Sequence, residues 1–406
     1  MTAIRFAAIL LLLSGPAAAL SASEPKITPQ HRAAAGVDYE SRQYLGKGVT
    51  QAQLSNGLTV LVQENHAAPV VTVRCYVTNT GSAFEGEYLG AGISHLLEHL
   101  VASGTTSTRT EDEIEAIVDS LGGQTNAYTS NDVTAFYIDA PASKVNVAIE
   151  LIADGMQSSA IPNTEYLREM GVVQRELEMG ESERDRVRYQ AMKQLVFTEH
   201  PMRHPIIGYL PVLQRITRDD VLRFYHSRYV PQNMTFVVVG DVETGAVLAE
   251  VRKRFERFHR TTERSPVLGD EPQQASPRST RIVMAGETAE LSLAWPTVPL
   301  QHPDLYPLDV ASYILTGGDS ARLTQRMTID QPLAVEVDSA SYTPWFVKGW
   351  FQLTAECTPD NFEKCREILL EEIRRLQSEP AGEEELAKVK RQVAANHVFN
   401  QQTVQN

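Results

Sequence analysis

Apolar positions recur with two different periods along the chain, and the alternation between them outlines its elements. Residues 52–64, AQLSNGLTVLVQE, hold two runs of period two on either side of Asn56-Gly57, the signature of a tight β-hairpin. Residues 70–82, VVTVRCYVTNTGS, continue the strand period to a glycine turn. From Ala91 to Ser103 the period changes to that of a helix, with polar residues at 94, 95, 98 and 99. A second helix is expected over Glu111–Leu121, with Thr110 as N-cap and Glu113 at capping-box spacing. Gly122-Gly123 stops it, and residues 124–140, QTNAYTSNDVTAFYIDA, read as two strands. Helices are expected over Lys144–Ser158, over a strongly acidic Asn163–Arg188, and from Thr217 to Ser227; a buried strand, MTFVVVGDV, follows at 234–242.

The pattern lapses over residues 260–280, which hold three prolines and no apolar period and read as a linker. Strand and helix patterns then resume: RIVMAG (281–286), AELSLAWPTV (289–298), a helix Asp304–Leu315, a Gly317-Gly318 turn, VEVDSASYT (335–343), GWFQLTAEC (349–357), and helices over Asn361–Leu376 and Glu383–Asn406. The order repeats that of the first segment, so the chain reads as two diverged copies of one α+β unit. The expected division is a leader at 1–22, a first half-domain at 45–260, a linker at 261–280 and a second half-domain at 281–406. The second copy is shorter, and its last helix pattern stops without cap or glycine, so it is expected to be truncated.

Composition changes this picture little. Apolar residues at 42% and charged residues at 22% exclude wholesale disorder and a collagen-like chain. The net charge of −14 argues against nucleic-acid binding, which needs a basic footprint to displace counterions. The N-terminus adds an address: one arginine, the apolar run Phe6–Leu13, a Ser14-Gly15-Pro16 break, and Ala17 and Ala19 at the spacing of a signal-peptidase site. The run is half the roughly 20 residues that a membrane span requires. Export to a periplasm or to the exterior is therefore expected, with no membrane span. Of the three cysteines, Cys75 alternates with apolar neighbours and reads as core. Cys357 and Cys365 admit a disulfide in an oxidising compartment or two buried free thiols.

The chemistry-bearing segment is His95-Leu96-Leu97-Glu98-His99. On a helix the three polar side chains fall within an arc of roughly 100°, so two imidazoles can share one zinc ion with a carboxylate beside them. Leu96, Leu97 and Leu100 are free to pack into the core. A hydrolytic zinc site needs a third protein ligand and an open fourth position. The acidic helix offers Glu165, Glu169, Glu176, Glu178, Glu181 and Glu183, and helical geometry leaves the choice open.

With its surroundings, HLLEH resembles the inverzincin signature of the pitrilysin/insulinase (M16) family of zinc metallopeptidases. The matching residues are LSNGLTVLVQEN before the motif, Gly104-Thr105 after it, Gly122-Gly123-x-x-Asn126-Ala127-x-Thr129, HPMRHPIIG at 200–208, Tyr229-x-Pro231-x-Asn233-Met234 and Gly240-Asp241. The resemblance implies one zinc per chain, held by His95, His99 and Glu176, the last standing 77 residues beyond His99. It implies Glu98 as general base and Glu169 as the carboxylate supporting a ligand. It further implies two homologous half-domains, each a mixed, mostly antiparallel sheet with helices packed on one face, forming one side of a clam-like chamber. Unfolded peptide substrates would pair with an edge strand at Asn126, Ala127 and Tyr128. The second half departs from the pattern: Met327-Thr328 and Val335 stand where a Leu-Arg pair and a tyrosine are expected. An opposing half, from a partner chain or from C-terminal sequence beyond the chain, is therefore expected to complete the site. The function implied is a zinc-dependent endopeptidase; the alternative is a non-catalytic peptide-binding or scaffold subunit.

Overall fold

The structure is a computed structural model that describes residues 39–260 and 266–400. The leader at residues 1–22 and the last residues of the C-terminal helix pattern lie outside the described residues. The chain forms two compact units, one built from Asp38–Met284 and the other from Ala285–Ala394.

The first unit begins with strands β1 (Tyr39–Gly46), β2 (Val49–Leu54), β3 (Thr59–Glu64) and β4 (Val70–Thr78), followed by helices α1 (Ile93–Ala102) and α2 (Glu111–Leu121). Strands β5 (Gln124–Thr129) and β6 (Val133–Pro141) come next, then helices α3 (Val145–Ser158), α4 (Asn163–Gly180), α5 (Arg184–Val196), the single turn α6 (Leu210–Leu213) and α7 (Arg218–Arg228), and finally β7 (Met234–Gly240) and α8 (Thr244–Phe255). The strands form one sheet in the order β1-β2-β3-β7-β4-β6-β5. It is antiparallel except for the parallel pair β3–β7. Pleating turns Val71, Val73, Cys75 and Val77 of β4 to one face, where all four are fully buried. Leu96, Leu97 and Leu100 of α1 and Ala148, Ile149 and Ile152 of α3 belong to the same core. The leucines between the polar residues of HLLEH thus anchor the helix that presents them.

The second unit comprises β8 (Ala289–Pro296), α9 (Leu305–Thr316), a short α10 (Arg322–Thr324) running into a π-turn over Gln325–Asp330, β9 (Ala334–Tyr342), β10 (Trp350–Cys357), α11 (Phe362–Ser378) and α12 (Glu383–Asn400) as far as Ala394. Its sheet is antiparallel, in the order β8-β10-β9. Leu353, Ala355 and Cys357 of β10 pack against Cys365, Leu369 and Ile373 of α11.

Two sequence expectations fail. RIVMAG forms no strand: Val283 is 87% exposed, so its alternation has no core to face. The acidic helix expected to reach Arg188 ends at Gly180, and α5 begins afresh at Arg184. Glycine is a poor helix former, and the guanidinium of Arg186 lies against Gly180 where a Cβ would stand. All three cysteines are free and buried. Among the described residues no helix is long and apolar enough to cross a membrane.

Candidate metal centre

Backbone close approach and one buried carboxylate fix the start of α1. Gly92, at φ +69°, is its N-cap, and a Cβ there would stand 2.1 Å from the carbonyl oxygen of Ile207. The side chain that serves the cap is Glu85, which accepts from the backbone N–H of Gly92 at 3.2 Å and of Ser94 at 3.1 Å. Burial pushes the Glu85 carboxyl up to about 8, against the pull of these N–H donors. At the other end of α1, Glu165 accepts from the backbone N–H of Thr105 at 3.0 Å and from its hydroxyl at 2.5 Å. Glu165, an open ligand choice on sequence grounds, is thus committed to the turn after the helix. Neither buried acid carries a motif signal; Glu85 was missed because its partners are backbone groups.

Helix α4 lies beside α1 and brings Glu176 to the two histidines. One donor atom each from His95, His99 and Glu176 falls within 4.8 Å of the others. His95 Nε2 is 3.7 Å and His99 Nε2 3.8 Å from the same oxygen, Glu176 Oε2. These spacings are too long for hydrogen bonds and are near the roughly 3.4 Å that separates two ligands of one tetrahedral zinc. Two imidazole nitrogens and a carboxylate oxygen are also the donor set of a hydrolytic zinc, so the residues fit that ion. The Glu176 side chain is 41% exposed, which leaves the site open on one side. Glu178 is exposed and accepts from Gln174, and Glu181 and Glu183 are exposed beyond the end of α4; none of the three joins the group.

The two histidines are held in different ways. His99 Nδ1 lies 3.3 Å from Glu169 Oε2, so a proton on Nδ1 donates to that carboxylate and leaves the Nε2 lone pair toward Glu176. The bond to Glu169 raises the pKa of His99 and lowers that of Glu169. Glu169 also accepts from Arg168 Nε at 2.9 Å, and Arg168 donates both terminal nitrogens to Glu111 at 2.8 and 2.6 Å. This extension through Arg168 to the start of α2 was not legible in the sequence. His95 has no such support: among the described residues its buried Nδ1 has no hydrogen-bond partner, and desolvation depresses its pKa to about 3. Burial first, and then the neighbouring His99 and Arg186, keep that ring neutral, the form that ligates metals.

Glu98 lies beside the group. Its Oε2 accepts from the Thr129 hydroxyl at 2.7 Å, and desolvation raises its pKa. Asn126, Ala127 and Tyr128 lie on β5, an outer strand of the sheet, and Tyr128 is 41% exposed. Among the described residues no further strand pairs with β5, so its outer edge offers backbone groups to an extended chain.

Comparison with known proteins covers both units of the chain. The profile of Insulinase (Peptidase family M16) matches residues 59–209, and that of the Peptidase M16 inactive domain matches residues 215–393. An uncharacterized zinc protease of Rickettsia bellii is 29% identical over 87% of this chain and 84% of its own length. A probable mitochondrial-processing peptidase subunit beta of Arabidopsis thaliana is 28% identical over 80% of this chain and 62% of its own. Among solved structures, a protease from Helicobacter pylori superposes with a TM-score of 0.82 at 25% identity, covering 87% of this chain and 86% of that one. With one profile over the segment that carries HLLEH and its companion running from residue 215, still in the first unit, through the second, the chain belongs to the M16, or pitrilysin/insulinase, family of peptidases.

Proposed function

We propose that the chain is a zinc-dependent endopeptidase acting on unfolded peptides. The observation that carries this reading is the convergence of His95, His99 and Glu176 beside a half-buried Glu98 on the same helix as both histidines. Zinc held by those three residues would polarise the scissile carbonyl and acidify a water at the fourth position. Glu98 then takes the proton of the attacking water and returns it to the leaving amine; its raised pKa brings it closer to the working range of such a base. Glu169 holds the ring of His99 in one tautomer and orientation. The peptide pairs with the outer edge of β5 through the backbone of Asn126, Ala127 and Tyr128. Glu98→Gln should retain about one zinc per chain and lose about 10²–10⁴-fold in turnover of an unstructured peptide. Parent-like turnover of the zinc-loaded variant would remove Glu98 from this role.

A second reading is a non-catalytic peptide-binding subunit. It is favoured by Thr328 and Val335, which occupy the positions of an expected arginine and tyrosine. Thr328 turns its hydroxyl back on the carbonyl of Thr324 at 2.6 Å, and Val335 is 68% exposed. Under the first reading an opposing half-clam from a partner chain supplies the missing groups. A zinc-replete chain that cleaves nothing until such a partner is added would support the requirement for it. The protein acts after export, to a periplasm or to the exterior; an N-terminus beginning near residue 22 in the isolated protein would support that, and an intact Met1 leader would oppose it.

A further inference from the structure

The two ends of the HLLEH helix are pinned by Glu85 and Glu165, and His99 is pinned by Glu169. Glu98 depends on a different element. Its side chain has three rotatable bonds, and a carboxylate on such a stem samples many orientations unless something holds it. The Thr129 hydroxyl donates to Glu98 Oε2 at 2.7 Å. No other hydrogen bond reaches this carboxylate among the described residues, so Oε1 is left free. Thr129 closes β5 and pairs in register with Thr134 of β6, which is fully buried; their hydroxyl oxygens are 3.5 Å apart. The position of the donor is therefore set by the sheet. Strand alternation turns Ala127 and Thr129 to the same side, and Ala127 packs on the core that contains α1, while Tyr128 faces away.

We propose that Thr129 is a positioning residue for Glu98: it ties one carboxylate oxygen to the sheet and aims the other at the attacking water. This rests on the reading of Glu98 as the base. One strand then does two things: the outer edge of β5 is where the peptide pairs, and its last side chain orients the proton acceptor. A shift of the strand would displace both together. Misplacement of a catalytic group by about 1 Å can cost about 10²-fold, which sets the scale of the expected effect.

The test compares Thr129→Val, which keeps the shape and strand preference but removes the donor, with Thr129→Ser, which restores it. Thr129→Val should lower kcat by about 10–100-fold with KM and zinc stoichiometry unchanged, and Thr129→Ser should recover most of the loss. In a Glu98→Gln background, Thr129→Val should cost little more, because the two residues act as a unit. Full kcat in Thr129→Val, alongside an inactive Glu98→Gln, would overturn the proposal while leaving the base assignment standing. Parent-like turnover in Glu98→Gln would instead defeat the base assignment. Crystal structures of the zinc-loaded parent and Thr129→Val give a readout independent of turnover. One Glu98 rotamer in the parent and several, or a displaced one, in the variant are expected; the same single rotamer in both would overturn the proposal.

Discussion

The two units run through the same sequence of elements with different chemical results. In the first, β4, α1, α2, β5, β6, α3 and α4 follow one another and the strands pair β4-β6-β5; in the second, β8, α9, α10, β9, β10, α11 and α12 do so and the strands pair β8-β10-β9. The helix after the leading strand carries HLLEH in one copy and LYPLDVASYILT in the other, where Asp309 is the one carboxylate. Both copies bury charged or titratable groups between helices, but in opposite arrangements. In the second unit Arg322 donates to Glu385 at 2.8 and 2.7 Å and to Glu372 at 3.2 Å, while Arg375 reaches Glu372 at 3.1 Å. Glu372 is only 1% exposed, and its charge is answered within the network. In the first unit two neutralisable rings and a carboxylate point into one space at distances too long to satisfy each other. A closed charge network holds helices together; a convergent, unanswered donor set has room for a cation.

The strongest way to break this contrast is to remove a donor from the convergent set. His95→Ala or His99→Ala should reduce zinc from about one ion per chain to essentially none after gel filtration, and Asp309→Asn should leave it unchanged. Retained stoichiometric zinc in the histidine variants, read by elemental analysis, would place the ion elsewhere.

The closed network should show its role in stability. Glu372→Ala removes the buried carboxylate that Arg322 and Arg375 share but leaves Arg322 its pair with Glu385, and losing a charge-assisted bond of this kind costs about 1.5–3 kcal/mol. Glu371, 52% exposed and paired with Arg326, is the control, for which about 1 kcal/mol or less is expected. Chemical denaturation followed at the second unit reads both, since two units need not unfold in one step. Equal shifts for the two variants would mean that the network does not hold α10, α11 and α12 together.

A smaller effect separates the histidines from each other. Glu169→Gln should weaken zinc binding by about 10–100-fold without abolishing it, because it supports a ligand and does not supply one. Arg168→Ala, one step further out, should cost less. Zinc affinity unchanged by Glu169→Gln, measured by competition with a chelator, would show that the bond to Glu169 does not support His99 as a ligand.

These expectations could be read from the sequence to unequal depth. Periodicity shows where α1 and α2 lie and why HLLEH presents one polar arc, and the Thr110 capping box forms as expected, with Glu113 accepting from Thr110. Period carries no information about termination by a distant side chain, so the break at Gly180, under Arg186, was hidden. Nor does it tell a strand from an exposed segment that has no neighbour, as RIVMAG demonstrates. The edge strand β1, largely exposed, has no apolar alternation to read, and α8 went unread although it carries Val247, Leu248, Val251 and Phe255 at helical spacing. At the site, the spacing of the two histidines on one helix was legible, whereas the approach of Glu176, rather than its acidic neighbours, to those histidines shows only where α4 lies beside α1. Glu85, Arg168 and Thr129 make their contacts with residues distant in sequence, and residue type alone does not announce them.

The smallest expected effect concerns the three thiols and reads the relative stability of the two units. Cys75 sits in the centre of β4, whose sheet has seven strands, whereas Cys357 and Cys365 sit where β10 meets α11 in a unit whose sheet has three. Burial raises the pKa of all three, with Cys365 pushed up to about 12, so the native protein holds almost no thiolate at neutral pH. A thiol reagent should therefore label none of them quickly in the folded state and all three after unfolding. At low denaturant, labelling requires local opening, and the element with the thinner sheet should open at lower free energy. Cys357 and Cys365 should then react before Cys75, as peptide mapping by mass spectrometry would show. Simultaneous labelling of all three would mean that the units open as one, and labelling of Cys75 alone would reveal a disulfide between the other two.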